Sequence, residues 1–218
     1  MKNLKKIGTI VLLVIASTNL SNAQQTVSSK NTEAKMGVKG GLNLSNLYTK
    51  EVDDQNVLLG FNAGFYADLP ITSSLSFQPE ILFTTKGAEL KYNNAFAEGT
   101  GKFRLSYIEV PLLLKANLTE NFTIHFGPYA AFLVDSKITN ESTNNTFNFE
   151  NNVNEDDLNK FDLGLAAGLG FEIDGFGLGA RYNYGLTTVG KERTFLGTTY
   201  TFPDSKNSVF SLYATVQF

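Results

Sequence analysis

An all-β fold, an eight-stranded antiparallel up-and-down transmembrane β-barrel, is predicted by three features of this sequence. Eight segments alternate apolar and polar residues with a period of two, the connections between them are alternately short and long, and a secretion-type leader precedes them. Successive side chains on a strand point to opposite faces, so each segment has one apolar and one polar side.

The leader is residues 1–23. Lys2, Lys5 and Lys6 precede an apolar run from Ile7 to Ala16, and Ser21-Asn22-Ala23 has the small-x-small form cut by signal peptidase, which makes Gln24 the expected mature N-terminus. The run is too short to span a bilayer as a helix, and no later segment offers the ~20 uninterrupted apolar residues that a spanning helix needs. Insertion must then use strands. Loss of the leader removes three lysines and no acid, leaving 15 basic against 21 acidic residues, a net charge of −6. That balance argues against nucleic acid as a partner, because phosphate neutralisation needs clustered Lys and Arg. The absence of cysteine excludes disulfides and thiolate chemistry. A hydrophobic fraction of 42% suits a barrel, which spends only every second strand residue on lipid.

Residues 24–35 are a polar lead-in without periodic pattern, and 36–218 are the barrel. Strand one runs from Gly37 to Leu47, with Val38, Leu42 and Leu44 opposed to Lys39, Asn43 and Ser45. Strand two, Leu59 to Leu69, is the clearest: Leu59, Phe61, Ala63, Phe65, Ala67 and Leu69 alternate with Gly60, Asn62, Gly64, Tyr66 and Asp68. Strand three, Ser74 to Leu90, sets Leu75, Phe77, Ile81 and Phe83 against Ser76, Gln78, Glu80, Thr84 and Lys86. Strand four, Phe103 to Leu118, sets Ile108, Val110, Leu112 and Leu114 against Tyr107, Glu109, Lys115 and Asn117. Strand five, Asn121 to Asp135, sets Phe122, Ile124, Phe126, Phe132 and Val134 against Thr123, His125, Tyr129 and Asp135. Strand six, Phe161 to Ile173, sets Leu163, Leu165, Leu169 and Phe171 against Asp162, Gly164, Gly168 and Glu172. Strand seven, Phe176 to Leu186, sets Leu178, Ala180, Tyr182 and Tyr184 against Gly177, Gly179, Arg181 and Asn183. Strand eight, Asn207 to Phe218, sets Phe210, Leu212, Val216 and Phe218 against Ser211, Tyr213, Thr215 and Gln217. Pro79 and Pro111 fall inside these patterns and mark bulges or gaps in the ladder.

The tight turns are Pro70 to Ser73, Thr119-Glu120 and Asp174-Gly175, the last a strong hairpin signal. The other connections, 48–57, 91–102, 136–160 and 187–206, are longer and polar. An even strand count with both termini on the short-turn side matches an outer-membrane barrel, with periplasmic turns and extracellular loops. A soluble barrel of lipocalin type would also alternate, but with its apolar face inside. Three features favour the membrane. The strands reach the ~9 to 11 residues needed to cross tilted; Phe122, Phe171, Phe176 and Phe218 gather near the turn ends as an interfacial girdle; and the last strand stops on an aromatic.

Five strings carry a family resemblance: Gly37-Val38-Lys39-Gly40-Gly41-Leu42-Asn43, Gln78-Pro79-Glu80-Ile81-Leu82-Phe83, the run from Tyr107 to Lys115, Gly127-Pro128-Tyr129, and the run from Gly179 to Leu186. In this order over residues 36–218 the chain resembles the PorT-like outer-membrane β-barrel family, the Glu-x-Pro-Leu-Leu-x-Lys string at Glu109–Lys115 being the most specific part. The resemblance implies an eight-stranded barrel in a bacterium with two membranes. It transfers no role in secretion, because fold does not fix function.

By parity the lumen receives Lys39, Glu80, Glu109, Lys115, His125, Asp162, Glu172 and Arg181. Counted from the turns, Glu80, Lys115, His125 and Arg181 lie at similar depth, with Lys115 and His125 near cross-strand neighbours. Eight strands enclose just enough room for side chains, so these charges are expected to pair as an ionic plug rather than line a channel. A gated path or small-ligand site is the functional alternative. His125 is the only histidine, which leaves carboxylates alone to complete any metal site. An acyltransferase-like set with Ser106 or Ser211 needs a nucleophile within hydrogen-bond reach of the imidazole, and no motif fixes one. The Asn-rich loop with Glu150, Glu155, Asp156 and Asp157 has calcium-type oxygens but no EF-hand spacing, and reads as solvated loop.

The expectation is therefore a non-enzymatic outer-membrane barrel with a closed, polar-filled lumen, needing no cofactor. Outer-membrane lipid surrounds it, and its four loops display surfaces for an extracellular ligand, an envelope protein or envelope maintenance. A narrow pore for solutes, or a lipid-modifying barrel enzyme, are the alternatives.

Overall fold

The computed structural model describes residues 33–48, 57–93, 98–142, 149–152, 158–195, 198–201 and 205–218. The leader and most of the lead-in lie outside them. Eight long strands dominate: β1 (Lys35–Tyr48), β2 (Leu58–Pro70), β3 (Leu75–Asn93), β4 (Glu98–Asn117), β5 (Phe122–Ser142), β6 (Phe161–Ile173), β7 (Phe176–Thr188) and β8 (Lys206–Gln217). Each pairs antiparallel with the next, and β1 pairs with β8, from Gly37 opposite Gln217 to Tyr48 opposite Lys206. The sheet is a closed ring. Closure gives every strand two partners, the condition for placing a sheet in hydrocarbon, where water cannot satisfy an open edge.

Side-chain alternation follows the pleat. Leu42, Phe61, Leu178 and Leu212 point outward and are roughly half exposed or more, whereas Lys39, Asn43, Glu80 and Arg181 point inward and are buried. In water an outward apolar band of this extent would drive association; against acyl chains it is the expected surface of a transmembrane barrel. Phe122 and Phe171 sit opposite each other at the turn end, and Phe176 and Phe218 are exposed near them. Among the described residues no helix is long and apolar enough to cross a membrane.

The three tight turns lie where expected. Asp174 and Gly175 both have positive φ, 49° and 84°, as a two-residue turn of type I′ requires. In the β4–β5 turn Thr119 Oγ1 accepts from the backbone N–H of Phe122 at 3.0 Å and of Asn121 at 3.3 Å. Pro79 and Pro111 interrupt the ladder without shifting its register, so they make gaps and not bulges. The register shift in the β4–β5 pair instead falls between Ser106 and Tyr107.

Two of the expected loops are shorter than read from the sequence. β3 continues to Asn93 and β4 begins at Glu98, so most of 91–102 is hairpin; β5 continues to Ser142 and pairs through Lys137–Asn140 with a short strand, Phe149–Asn152. Beyond the hydrocarbon both faces meet water, so amphipathic alternation ends while the backbone ladder goes on. The 187–206 connection likewise contains a small hairpin, Glu192–Phe195 with Thr198–Thr201.

Candidate functional site

The barrel interior is where sequence and structure concentrate polar groups. Lys39, Glu80, Glu109, Lys115, His125, Asp162 and Arg181 are all buried inside; Glu172, near the turn end, keeps 36% of its side chain exposed. They form three layers.

The central layer is built on Glu80 of β3. Its carboxylate accepts two hydrogen bonds from Arg181, Nη1 and Nη2 both at 2.7 Å, one from Gln78 Nε2 at 2.7 Å, and the Lys39 ammonium at 3.2 Å. The bidentate fork fixes both groups in plane. Arg181 Nε donates to His125 Nε2 at 3.1 Å, and Lys39 Nζ stands 3.6 Å above the Tyr213 ring, a cation–π contact. Gly168 makes room for the imidazole, since a Cβ there would lie 2.5 Å from His125 Nε2. Two cations face one carboxylate in this layer.

Toward the long loops, Lys86 lies between Glu109 at 2.6 Å and Asp162 at 2.9 Å and stacks 4.3 Å over Tyr129. Asn183 donates to Glu109 at 2.8 Å and Asn207 to Asp162 at 3.0 Å. Here one cation faces two carboxylates, which offsets the excess charge of the central layer. Toward the turns, Lys115 bonds Asp68 at 2.8 Å and Glu172 at 2.7 Å. Lys115 does pair across the ladder with His125. Of the four residues expected at similar depth, Glu80, His125 and Arg181 share one set of contacts, while Lys115 takes its ion-pair partners from Asp68 and Glu172.

A neutral hub joins four strands. Asn43 donates to Thr84 Oγ1 at 2.9 Å, and its Oδ1 accepts from Asn62 at 2.6 Å and Ser211 at 2.7 Å. Between this hub and the charged layers is a cavity of about 10 Å³ lined by Lys39, Asn62, Glu109, Arg181, Asn183 and others. Such a space holds about one water molecule.

The expectation of a polar filling holds for only part of the lumen. Leu105, Leu113, Leu133 and Ala166 also point inward and form an apolar cluster with Tyr107 and Tyr129, joined at the mouth by Leu47, Leu158 and Val189. Leu158 and Val189 come from connections, not from barrel strands. Parity alone could have placed Leu105, Leu113 and Leu133, as well as Lys86 and Asp68, which belong to the inward rows. No periodic signal marks Leu158.

For chemistry the arrangement offers little. His125 Nε2 is taken up by Arg181, the Ser211 hydroxyl donates to Asn43, and Ser106 sits at the register shift opposite Asp135. Among the described residues no group of His, Asp and Glu is arranged to hold a metal ion. The side chains of Glu150, Glu155, Asp156 and Asp157, and residues 49–56, 94–97, 143–148, 153–157, 196–197 and 202–204 of the four connections, lie outside the described residues.

A family model described as outer membrane protein beta-barrel domain matches residues 22–190. No curated protein matches the chain significantly. Among solved structures, the chain is similar to Ail, the attachment invasion locus protein of Yersinia pestis, in complex with the heparin analogue sucrose octasulfate: 16% identity, 85% of this chain and 99% of that one covered, TM-score 0.50. It is also similar to Neisserial surface protein A: 14% identity, 85% and 99% covered, TM-score 0.48. The likeness to Ail shows the fold alone.

Proposed function

The chain belongs to the outer membrane protein β-barrel domain family, and from that premise we propose that it is a closed, non-enzymatic anchor that displays its four long connections outside the bacterial outer membrane. These connections serve binding to an extracellular ligand or envelope protein, or maintenance of the envelope. The observation that carries this reading is the filled lumen. Three ionic layers, the Asn43 hub and the apolar cluster occupy the interior across all eight strands, and a cavity between them among the described residues is about 10 Å³.

Residues 1–23 act as the export leader, and both ends of the barrel domain face the periplasm. Support comes from the asymmetry of the connections, tight at the end where β1 begins and β8 stops and long at the other. A finer kinship with PorT-like barrels rests on the Glu109–Lys115 string. Inside the barrel that string is an inward spine: Glu109 in one ionic layer, Lys115 in another, with Pro111 and Leu113 buried between them.

Reconstitution in planar bilayers tests the closed reading. The purified barrel is expected to insert without discrete current steps. Steady single-channel steps, enlarged when the lumen is widened by substitution and abolished when it is blocked, would instead support the narrow pore.

A further inference from the structure

Asn62 on β2 and Asn183 on β7 are each 5% exposed, and the side-chain oxygen of each receives no hydrogen bond from any described residue. Neither amide can be turned round to relieve this. Asn43 spends its own amide protons on Thr84 Oγ1 and on the Phe61 and Thr85 carbonyls, so its Oδ1 is an acceptor and must be met by an N–H of Asn62, at 2.6 Å. The Glu109 carboxylate is likewise an acceptor, and Asn183 Nδ2 donates to its Oε1 at 2.8 Å. With the nitrogens committed in this way, what each amide has left to offer is its oxygen.

Both residues line the cavity of about 10 Å³ beside the Asn43 hub. The other wall oxygen without a hydrogen bond, Glu109 Oε2, is met by the Lys86 ammonium at 2.6 Å. A buried amide oxygen without a donor costs the full desolvation of the group. Two of them on one small polar cavity call for a donor between them.

We infer that this cavity is a binding site for one neutral molecule of a single heavy atom, a water, which donates to Asn62 Oδ1 and Asn183 Oδ1. It accepts in turn from donors of the same wall, the Lys39 ammonium and the Thr84 hydroxyl, whose oxygen already takes a bond from Asn43. The volume, about that of one probe sphere, excludes anything larger. Charge excludes ions. A cation would lie beside Lys39 and Arg181, and an anion would meet the two amide oxygens and the Glu109 carboxylate. The bound water joins two parts of the filling that have separate bonds: the hub through Asn62, and the layer of Glu109, Lys86 and Asp162 through Asn183. It is an integral part of the interior, whatever the outer loops bind.

The test is a crystal structure of the full barrel, refolded in detergent and diffracting well enough to show ordered water, with crystals grown once in sodium chloride and once in rubidium bromide. One peak within hydrogen-bond distance of both Asn62 Oδ1 and Asn183 Oδ1 is expected, equal in the two salts and without anomalous scattering at the rubidium or bromine edge. A peak that vanishes or becomes anomalous in rubidium bromide means an ion, and overturns the inference. So does a cavity without a peak, or an amide oxygen of Asn62 or Asn183 met by a donor of the protein.

Discussion

Replacing Lys86 with methionine is expected to destabilise the barrel by about 5 kcal/mol, at the upper end of the roughly 3–5 kcal/mol that the loss of one member of a buried ion pair costs. The ammonium lies between Glu109 and Asp162, and its side chain is fully buried. Its removal leaves two like charges facing each other with only neutral donors, Asn183 on Glu109 and Asn207, Tyr129 and Thr187 on Asp162, to hold them. Methionine keeps the volume and the contact with the Tyr129 ring, so the loss is electrostatic and not a cavity. Lys115→Met is the comparison. Lys115 also bridges two carboxylates, but the Glu172 side chain is 36% exposed and water can replace the lost partner. A smaller loss, about 2 kcal/mol, is expected there, because water reaches Glu172 while the buried Asp68 still loses its partner. Urea unfolding in lipid vesicles, followed by gel mobility without heating, reads both. Equal midpoints for the two variants would contradict the layered interior.

Arg181→Met is expected to cost about 3 kcal/mol, at the lower end of the same range. Glu80 then retains Lys39 and Gln78, so it is weakened and not stranded. The loss also removes the donor to His125 Nε2. Arg181→Lys should recover only part of the loss, because an ammonium cannot reproduce the two parallel bonds to Oε1 and Oε2. Full recovery by lysine would mean that charge alone matters and that the fork does not.

Period-two alternation reveals strands only where one face meets lipid. That is why Leu59 to Leu69 is legible almost to the residue, while the outer ends of β3, β4 and β5 are not: past Leu90 and Asp135 the sequence turns polar on both faces although pairing continues. Parity places each charge inside the barrel but cannot say which charge meets which. That depends on the stagger of the strands around the ring, which brings Lys115 to Asp68 and Glu172 and leaves Arg181 with Glu80. Inward leucines such as Leu105 and Leu133 look like interruptions of a polar row until the closed mouth gives them neighbours. Leu158 enters from a connection, where no repeat points to it.

The claim on which the rest stands is that hydrocarbon surrounds the outward apolar faces while the charges lie within. The chain has no cysteine, so single labels can be placed without background. Spin labels at Phe61→Cys and Leu178→Cys in bilayers should collide with oxygen dissolved in the acyl chains and stay shielded from a water-soluble nickel chelate. Free access of the chelate to both positions, with no gain from oxygen, would mean that these faces meet water and that the barrel is not a membrane one.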